Sequence, residues 1–147
     1  MRFHHFLAPL LVLPFLLIGC GSKPVVVEES QVSSSAVSQE SQDVLMVTAP
    51  VAGSTVTSPV TITGQARGLW YFEASFPVKV LDDQGKKIGV GMAQAEGEWM
   101  TEDFVPFSAT LKFTTTASHG SLVLEKDNPS GLPENAAQFV IPVQFQQ

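Results

Sequence analysis

The chain lacks a second cysteine, since Cys20 is the only one among its 147 residues. A disulfide within the chain is therefore excluded, and the folded part must be held together by its apolar core alone. A free thiol would be a hazard in an oxidising compartment. A buried or disulfide-bonded cysteine is the ordinary alternative, but the position of Cys20 directly after an apolar run favours a chemical role.

Positive charge is also scarce. The chain has 8 basic residues against 14 acidic ones and a formal net charge of −6. Removal of Arg2 with the N-terminal segment would leave 7 basic residues and a charge near −7. Such a chain is a poor match for nucleic acid and for lying flat on anionic lipid. The acidic residues are scattered along the sequence, which is typical of a solvated surface, and no nucleic-acid partner is predicted.

Catalytic motifs are missing as well. The sequence contains no HExxH, phosphate-loop or dinucleotide fingerprint. His119 would be the only histidine of the mature chain, and in Ser118-His119-Gly120 we predict an exposed turn residue. A nucleophile and its base must meet in space with an orienting carboxylate, which adjacent residues rarely achieve. We therefore predict that the protein is not an enzyme.

Metal-ligand patterns are weak. A single histidine does not provide a zinc site. Calcium needs hard oxygen ligands, which two turns offer. These are Asp82 and Asp83 near Gly85, and Glu125, Asp127 and Asn128. Neither has the spaced carboxylates of a dedicated calcium loop, so no metal and no cofactor are predicted.

The N-terminal segment has the layout of a secretory signal. Arg2 precedes an almost wholly apolar run from Phe6 to Ile18. The run is shorter than the roughly 20 apolar residues that cross a membrane as a helix, and it contains Pro9 and Pro14. We predict that residues 1–19 are a signal peptide and not a permanent anchor.

The end of this run, Leu17-Ile18-Gly19-Cys20, resembles the lipobox of bacterial lipoproteins. In that family the cysteine is diacylated and becomes the first residue, so the resemblance implies lipid attachment at Cys20. A thiol is the most nucleophilic side chain for this purpose, and two acyl chains hold a protein stably where one does not. The implied location is the cell envelope, outside the cytoplasm. Gly21 replaces the aspartate that favours inner-membrane retention, which implies the periplasmic side of the outer membrane in a Gram-negative cell and otherwise the outer face of the cell membrane.

The next segment is predicted to be disordered. Residues 20–43 are rich in Ser, Gln, Val and Glu and contain no aromatic residue. Such a composition cannot bury enough surface to offset the entropy of ordering. We interpret the segment as a flexible tether that follows the lipidated cysteine, with a coil span of about 25–30 Å and a full extension of about 80 Å. An alternative is that the tract is filler without a selected length.

Residues 44–147 have the length of one domain and the patterns of β-strands. Apolar and polar residues alternate with period two in three stretches, 71–81, 107–113 and 139–145. The inner face of the first is predicted to carry Phe72, Ala74, Phe76, Val78 and Val80. Shorter candidates are 45–48, 60–66, 88–95 and 121–125. Pro142 predicts an edge or a bulge in the last strand, since it donates no ladder hydrogen bond.

Turn signals separate these stretches. They lie at Pro50–Gly53, Asp82–Gly85 and Asn128–Gly131, and no stretch shows a sustained helical period. About seven short strands within about 100 residues predict an all-β domain, namely an immunoglobulin-like two-sheet antiparallel β-sandwich. The Cys…Trp…Cys signature of antibody domains is absent, which excludes that subclass.

The order of these segments resembles the immunoglobulin-like domain attached to bacterial spore-germination proteins, the second type in the Gmad family. The resemblance covers residues 45–145. It is carried by Pro50-x-x-Gly53, Ser58-Pro59, Gly64, Trp70-x-Phe72-Glu73-Ala74, Gly85, Pro106-Phe107 and Asn128-Pro129-Ser130-Gly131. It implies an immunoglobulin-like fold on secreted or lipid-anchored bacterial proteins and no known reaction. The resemblance does not imply germination itself, because the family occurs well beyond spore formers.

One polar residue interrupts an aromatic run and marks a candidate binding site. Glu73 follows Trp70, Tyr71 and Phe72 and is predicted to lie opposite the phenylalanines. Trp70 or Tyr71 could stack on a sugar ring or a partner side chain while Glu73 fixes its orientation by hydrogen bonding. The alternative is structural: Glu73 bonds backbone amides or pairs with Lys112, and Trp70 closes one end of the sandwich. Trp99 is predicted to be a core or sandwich-edge aromatic.

The sequence thus favours a non-catalytic envelope lipoprotein. The lipid and the tether would present a rigid domain that binds or scaffolds another component, which we expect to be an envelope protein. The alternative is a module that binds peptidoglycan or another cell-surface polysaccharide through Trp70, Tyr71 and Glu73.

Overall fold

The computed structural model describes residues 43–146. The predicted signal peptide, Cys20 and all of the tether except Asp43 lie outside the described residues. Within the described range no helix is long and apolar enough to cross a membrane.

The described chain is all-β, as predicted. Two short 3-10 turns, Gly68–Trp70 and Pro133–Asn135, interrupt the strands. The eight strands are β1 Leu45–Ala49, β2 Thr55–Val56, β3 Val60–Arg67, β4 Ser75–Asp82, β5 Lys87–Ala95, β6 Phe104–Leu111, β7 His119–Glu125 and β8 Gln138–Phe145. The two-residue β2 has no signal in the sequence, because it is too short to show an alternation.

The strands form one hydrogen-bonded sheet in the order β1-β3-β6-β5-β4-β7-β8-β2. All neighbours are antiparallel except β2 and β8, which are parallel. β5 makes the sheet continuous, because it pairs with strands on both sides. It pairs with β4 along its length, and with β6 only through Gln94 and Ala95. The prediction of two separate antiparallel sheets is thus refined to one mixed sheet.

This sheet curls back on itself. β1 and β2 lie at its opposite edges, yet only residues 50–54 join them. Seven strand spacings would cover about 34 Å in a flat sheet, whereas the chain from Ala49 to Thr55 reaches at most about 21 Å. Rings from distant strands also meet, since Phe113 after β6 is 5.1 Å from Phe145 of β8 between centroids. The arrangement is consistent with the predicted sandwich.

The core is centred on an aromatic cluster. Phe76 is fully buried at its centre, with ring centroids 5.0 Å from Phe107, 5.3 Å from Tyr71 and 6.3 Å from Trp70. No polar or charged side chain of the described residues is buried with them. Burial of apolar surface is therefore the main stabilising contribution, as the absence of a disulfide requires.

The turn predictions are confirmed. Gly53, Gly85 and Gly131 have φ values of 81°, 75° and 67°, a left-handed region that favours glycine. The carboxylate of Asp82 accepts hydrogen bonds from the N–H groups of Gln84 and Lys86, at 3.0 and 2.8 Å, and so closes the turn between β4 and β5.

Pro142 lies at a position in β8 where the absence of a backbone N–H breaks no ladder hydrogen bond. Its carbonyl accepts a hydrogen bond from the N–H of Gly53 at 2.7 Å. The backbone N and O atoms of one residue point to the same side of a strand, so those of Pro142 point to the side of β8 on which β2 lies. On that side β2 pairs with β8 only at Gln144 and Phe145, so no ladder hydrogen bond from Pro142 is required. The predicted edge character is present at this residue.

One strand prediction was wrong at its start. The stretch 71–81 is not one strand, because β4 begins only at Ser75. Tyr71 is buried and Phe72 is 43% exposed, the reverse of the predicted facing. A tight turn at Glu73 and Ala74 breaks the alternation, and the inward positions are regular again from Phe76 onward.

Candidate functional site

Four connections meet at one end of the domain, which we call the loop end. It consists of the entry residues 43–44, the β3–β4 connection 68–74, the β5–β6 connection 96–103 and the β7–β8 connection 126–137. The strand registers place these segments together, since Leu45 pairs with Ala66, Arg67 with Phe104, Ser75 with Gln94 and Glu125 with Gln138.

The turn at Glu73 is a two-residue hairpin at this end. The N–H groups of Phe72 and Ser75 donate to each other's carbonyl oxygens, at 3.0 and 3.1 Å. Glu73 and Ala74 have φ values of 50° and 61°, the positive pair that a type I′ turn requires. Glu73 is exposed at the tip, and its carboxylate has no hydrogen-bond or ion-pair partner among residues 43–146. Neither predicted structural role, amide bonding or pairing with Lys112, is therefore seen.

The two aromatic residues before the turn lie inside the domain. Trp70 and Tyr71 are each only 4% exposed. The hydroxyl of Tyr71 donates to the carbonyl of Val105 at 2.7 Å. Its burial, with a smaller contribution from the charge of Glu96, raises the pKa of Tyr71 to about 12. The indole N–H of Trp70 is buried without an acceptor in the described part of the chain. Neither ring offers an open face, which removes the stacking surface on which the polysaccharide prediction rested.

Gly68 allows two of the connections to touch. A Cβ atom at this position would collide with the carbonyl oxygens of Trp99 and Thr101. The first 3-10 turn can therefore pack directly beneath the β5–β6 connection only because residue 68 has no side chain. Trp99 is half-buried against the core, as predicted.

Arg67 joins the entry segment to the same connection. Its Nε donates to the carbonyl of Asp43 at 2.9 Å and its Nη1 donates to the carbonyl of Glu102 at 2.9 Å. The guanidinium carbon lies 4.5 Å from the centroid of the Phe104 ring, a cation–π distance. The chain thus enters the domain at the loop end.

The fold concentrates acidic residues that the sequence shows as scattered. Eight of the eleven acidic residues in 43–146 lie in the segments of the loop end, against one basic residue, Lys126, which gives these segments a formal charge of 1 − 8 = −7; the guanidinium of Arg67, at the end of β3, contacts two of them. The acidic residues are Asp43, Glu73, Glu96, Glu98, Glu102, Asp103, Asp127 and Glu134. The remaining described residues carry three acidic and five basic side chains, a formal charge of +2. Most of these acidic residues are exposed, as a solvated surface requires, but the fold gathers them at one end of the domain.

Exposed apolar side chains stand among these carboxylates. Leu69 is 76% exposed and Met100 is 73% exposed, compared with 43% for Phe72. A shallow groove of about 320 Å³ runs between the β3–β4 and β7–β8 connections, and a second of about 390 Å³ runs between the β3–β4 and β5–β6 connections. Leu69 and Tyr71 line both grooves.

Sequence reasoning missed Leu69 and Met100. The available signal was an apolar residue inside an acid-rich connection, as in Glu98-Trp99-Met100-Thr101-Glu102. This signal is weak, because an isolated exposed aliphatic residue is ordinary at a protein surface. Only the fold shows that the two side chains share one end.

Ser118 Oγ lies 3.1 Å from Nδ1 of His119, closer than we expected for adjacent residues, but His119 is the exposed first residue of β7 and no carboxylate is among its hydrogen-bond partners in the described range. No group of three His, Cys, Asp or Glu side chains within residues 43–146 could hold a metal ion. Cys20 lies outside the described residues.

The fold and these features define the domain as immunoglobulin-like. The family model of the immunoglobulin-like domain of bacterial spore germination matches residues 44–131, and the chain belongs to this family. β8 follows the matched region and completes the sheet by pairing with β7 and β2. No curated protein and no solved structure matches the chain.

Proposed function

We propose that this protein is a membrane-anchored envelope lipoprotein whose immunoglobulin-like domain is a non-catalytic module that binds another envelope protein through the loop end. The observation that carries the proposal is the coincidence of a formal charge of −7 with the exposed Leu69 and Met100 on one surface. Large exposed apolar side chains rimmed by polar groups are typical of protein interfaces.

The charge of the loop end selects the chemistry of the partner. A protein segment with an apolar side chain flanked by lysine or arginine would cover Leu69 and pair with carboxylates such as Glu98 and Glu102. Electrostatic attraction of this kind speeds encounter and rejects acidic partners more than it adds affinity. We therefore expect binding that weakens as the salt concentration rises.

Anchoring supplies the local concentration. In the proposal, Cys20 of Leu17-Ile18-Gly19-Cys20 carries the acyl chains, and residues 21–43 give the domain reach within the envelope. The lipid tether confines the domain to a thin layer beside the membrane, so that a weak contact at the loop end is sufficient for occupancy.

Cross-linking in living cells tests the proposed binding surface. A photo-crosslinking amino acid replaces Leu69 or Met100 in the full chain, and Val51 serves as the matched control, because it is 64% exposed but lies in the β1–β2 connection. We expect a cross-linked product with a second protein from the two loop-end positions and not from Val51. Equal products from all three positions, or none from Leu69 and Met100, would contradict the proposal.

Charge reversal separates the electrostatic contribution. Glu98→Lys with Glu102→Lys changes the loop end by +4, and both carboxylates belong to exposed residues. We expect the Leu69 cross-link to fall to the level of the Val51 control while thermal unfolding is unchanged. An undiminished cross-link would show that the partner does not recognise the acidic charge.

Lipid attachment is tested on its own. Cys20→Ala removes the acceptor thiol, so the variant should incorporate no labelled palmitate and should leave the detergent phase. Retention of label or of detergent partitioning would refute the lipoprotein assignment, whatever the outcome at the loop end.

A further inference from the structure

Met100 is an apolar side chain that the fold holds out in solvent. It is 73% exposed, compared with 44% for Met92 in β5 and 37% for Met46 in β1. A methionine thioether is polarisable and is readily oxidised to a polar sulfoxide. Within residues 43–146, the most exposed methionine is therefore also the one that lies on the proposed binding surface.

The backbone beneath Met100 is fixed by hydrogen bonds that do not involve its sulfur atom. The N–H of Met100 donates to Oε1 of Glu98 at 3.1 Å. Two residues further on, the carbonyl of Glu102 accepts a hydrogen bond from Nη1 of Arg67 at 2.9 Å. A chemical change at the thioether leaves both bonds in place, so it can alter the surface without disturbing the fold.

Met100 shares a groove with Leu69. Both residues line the groove of about 390 Å³ between the β3–β4 and β5–β6 connections, together with Trp99 and Glu102. A partner that covers Leu69 would therefore also cover the thioether. A sulfoxide oxygen is a hydrogen-bond acceptor, and its burial against an apolar partner group without a donor costs desolvation free energy. One added oxygen atom thus changes the apolar part of the surface and leaves its formal charge unaltered.

We propose that Met100 is a site of reversible oxidation to methionine sulfoxide, and that this oxidation releases the partner from the loop end. The inference rests on the proposed function and adds its regulation. The oxidant is hydrogen peroxide, which is uncharged. The segments of the loop end carry a formal charge of −7, which repels anionic oxidants but does not repel a neutral peroxide.

The reaction transfers one oxygen atom. The thioether sulfur donates an electron pair to one oxygen of hydrogen peroxide, the S–O bond forms as the O–O bond breaks, and the second oxygen leaves as hydroxide. The hydroxide takes the proton of the transferred hydroxyl group, so the products are the sulfoxide and water. Sulfur is oxidised by two electrons and the peroxide is reduced. A methionine sulfoxide reductase reverses the change with a dithiol, which becomes a disulfide while the oxygen leaves as water.

Mass spectrometry of peptides from the full chain, after exposure to hydrogen peroxide, tests the site itself. We expect the sulfoxide to form roughly twofold faster at Met100 than at Met92, and more slowly again at Met46, because the reaction follows exposure of the sulfur atom. Thermal unfolding should be unchanged when Met100 is oxidised. A rate at Met100 equal to or below the rate at Met92 would overturn the proposal, whatever the partner.

The photo-cross-link from Leu69 tests the consequence for binding. In isolated cell envelopes, peroxide should lower this product by about tenfold, because an unpaired buried acceptor weakens affinity to that extent. A methionine sulfoxide reductase with dithiothreitol should restore it. Met92→Leu is the matched control and should respond to peroxide as the unmodified chain does. Met100→Leu has no thioether at this position, so its product, compared with its own untreated sample, should not fall.

The outcomes separate this inference from the proposed function. Absence of the Leu69 product before peroxide is added would overturn the proposed function and the inference with it. A Leu69 product that survives complete oxidation of Met100, or one that falls equally in Met100→Leu, would overturn the inference alone.

Discussion

Phe72 and Phe76 lie on either side of one tight turn and belong to two different regions of the molecule. Phe76 is fully buried on the inner face of β4, where it touches three other aromatic rings. Phe72 is 43% exposed in the loop end, beside a groove. The inner face supplies stability, whereas the loop end supplies surface and charge, so the two can be altered separately.

The largest effect is expected from truncating the buried ring. Phe76→Ala removes the centre of the aromatic cluster and should lower the free energy of unfolding by about 3–5 kcal/mol. Phe72→Ala is the matched control and should cost less than about 1 kcal/mol, because much of the ring is already in water. Denaturant titration measures both. Comparable losses would show that the turn region is as much part of the core as β4.

The next effect is a pH dependence from Tyr71, the only tyrosine of the chain. An unfolded tyrosine ionises near pH 10, and the folded one near pH 12. Folding therefore favours the neutral form of the ring. Its contribution to the free energy of unfolding is complete below pH 10 and is lost as the pH rises to about 12. The loss should amount to about 2–3 kcal/mol.

Tyr71→Phe removes this titration and provides the control. The variant should lose about 1 kcal/mol at neutral pH, because the carbonyl of Val105 loses its donor, but its stability should not fall between pH 10 and 12 through this residue. The ultraviolet signal of the phenolate reports Tyr71 alone in the native protein. A native transition near pH 10 would show that the ring is accessible.

A smaller effect of opposite sign is expected at the turn that separates the regions. Ala74→Gly should stabilise the domain by up to about 1 kcal/mol, because alanine pays a steric cost at positive φ. Ala95→Gly in β5 should instead destabilise by about 0.5–1 kcal/mol, since glycine weakens an extended strand. Thermal unfolding compares the two. Destabilisation by both would indicate that Ala74 does not have left-handed geometry in solution.

The smallest effect is expected at the ion pair between Lys79 of β4 and Glu125 of β7. Lys79→Ala should cost no more than about 1 kcal/mol, because the ion pair with Glu125 is partly exposed. A double-mutant cycle with Glu125→Ala, at low and high salt, isolates the pairwise energy. A coupling of several kcal/mol that salt does not alter would mean that the pair is shielded from water.

Much of the fold could be predicted because alternation reports directly on burial. Period two alone places Phe76, Val78 and Val80 inward, and all three are fully buried. The start of β4 could not be placed, because a type I′ turn made of Glu73 and Ala74 lacks the Asn-Gly or Gly-Gly pair that announces one. The aromatic sequence around it continued the alternation by coincidence.

Less of the candidate site could be predicted from the sequence. The sequence marks Trp70, Tyr71 and Glu73 as a candidate binding site, but Trp70 and Tyr71 are packed inside the domain. The acidic cluster is assembled from four segments up to 91 positions apart, from Asp43 to Glu134. Such a cluster depends on strand order, which local patterns do not encode.

Arg67 has a mechanical consequence. By holding the carbonyl oxygens of Asp43 and Glu102, it places the point where the polypeptide enters the domain at the end that carries Leu69 and Met100. If the chain is anchored and binds a partner as proposed, tension between the N-terminus and that partner would pass through the few residues around Arg67. The ladder between β1 and β3, which begins at Leu45, would be loaded first.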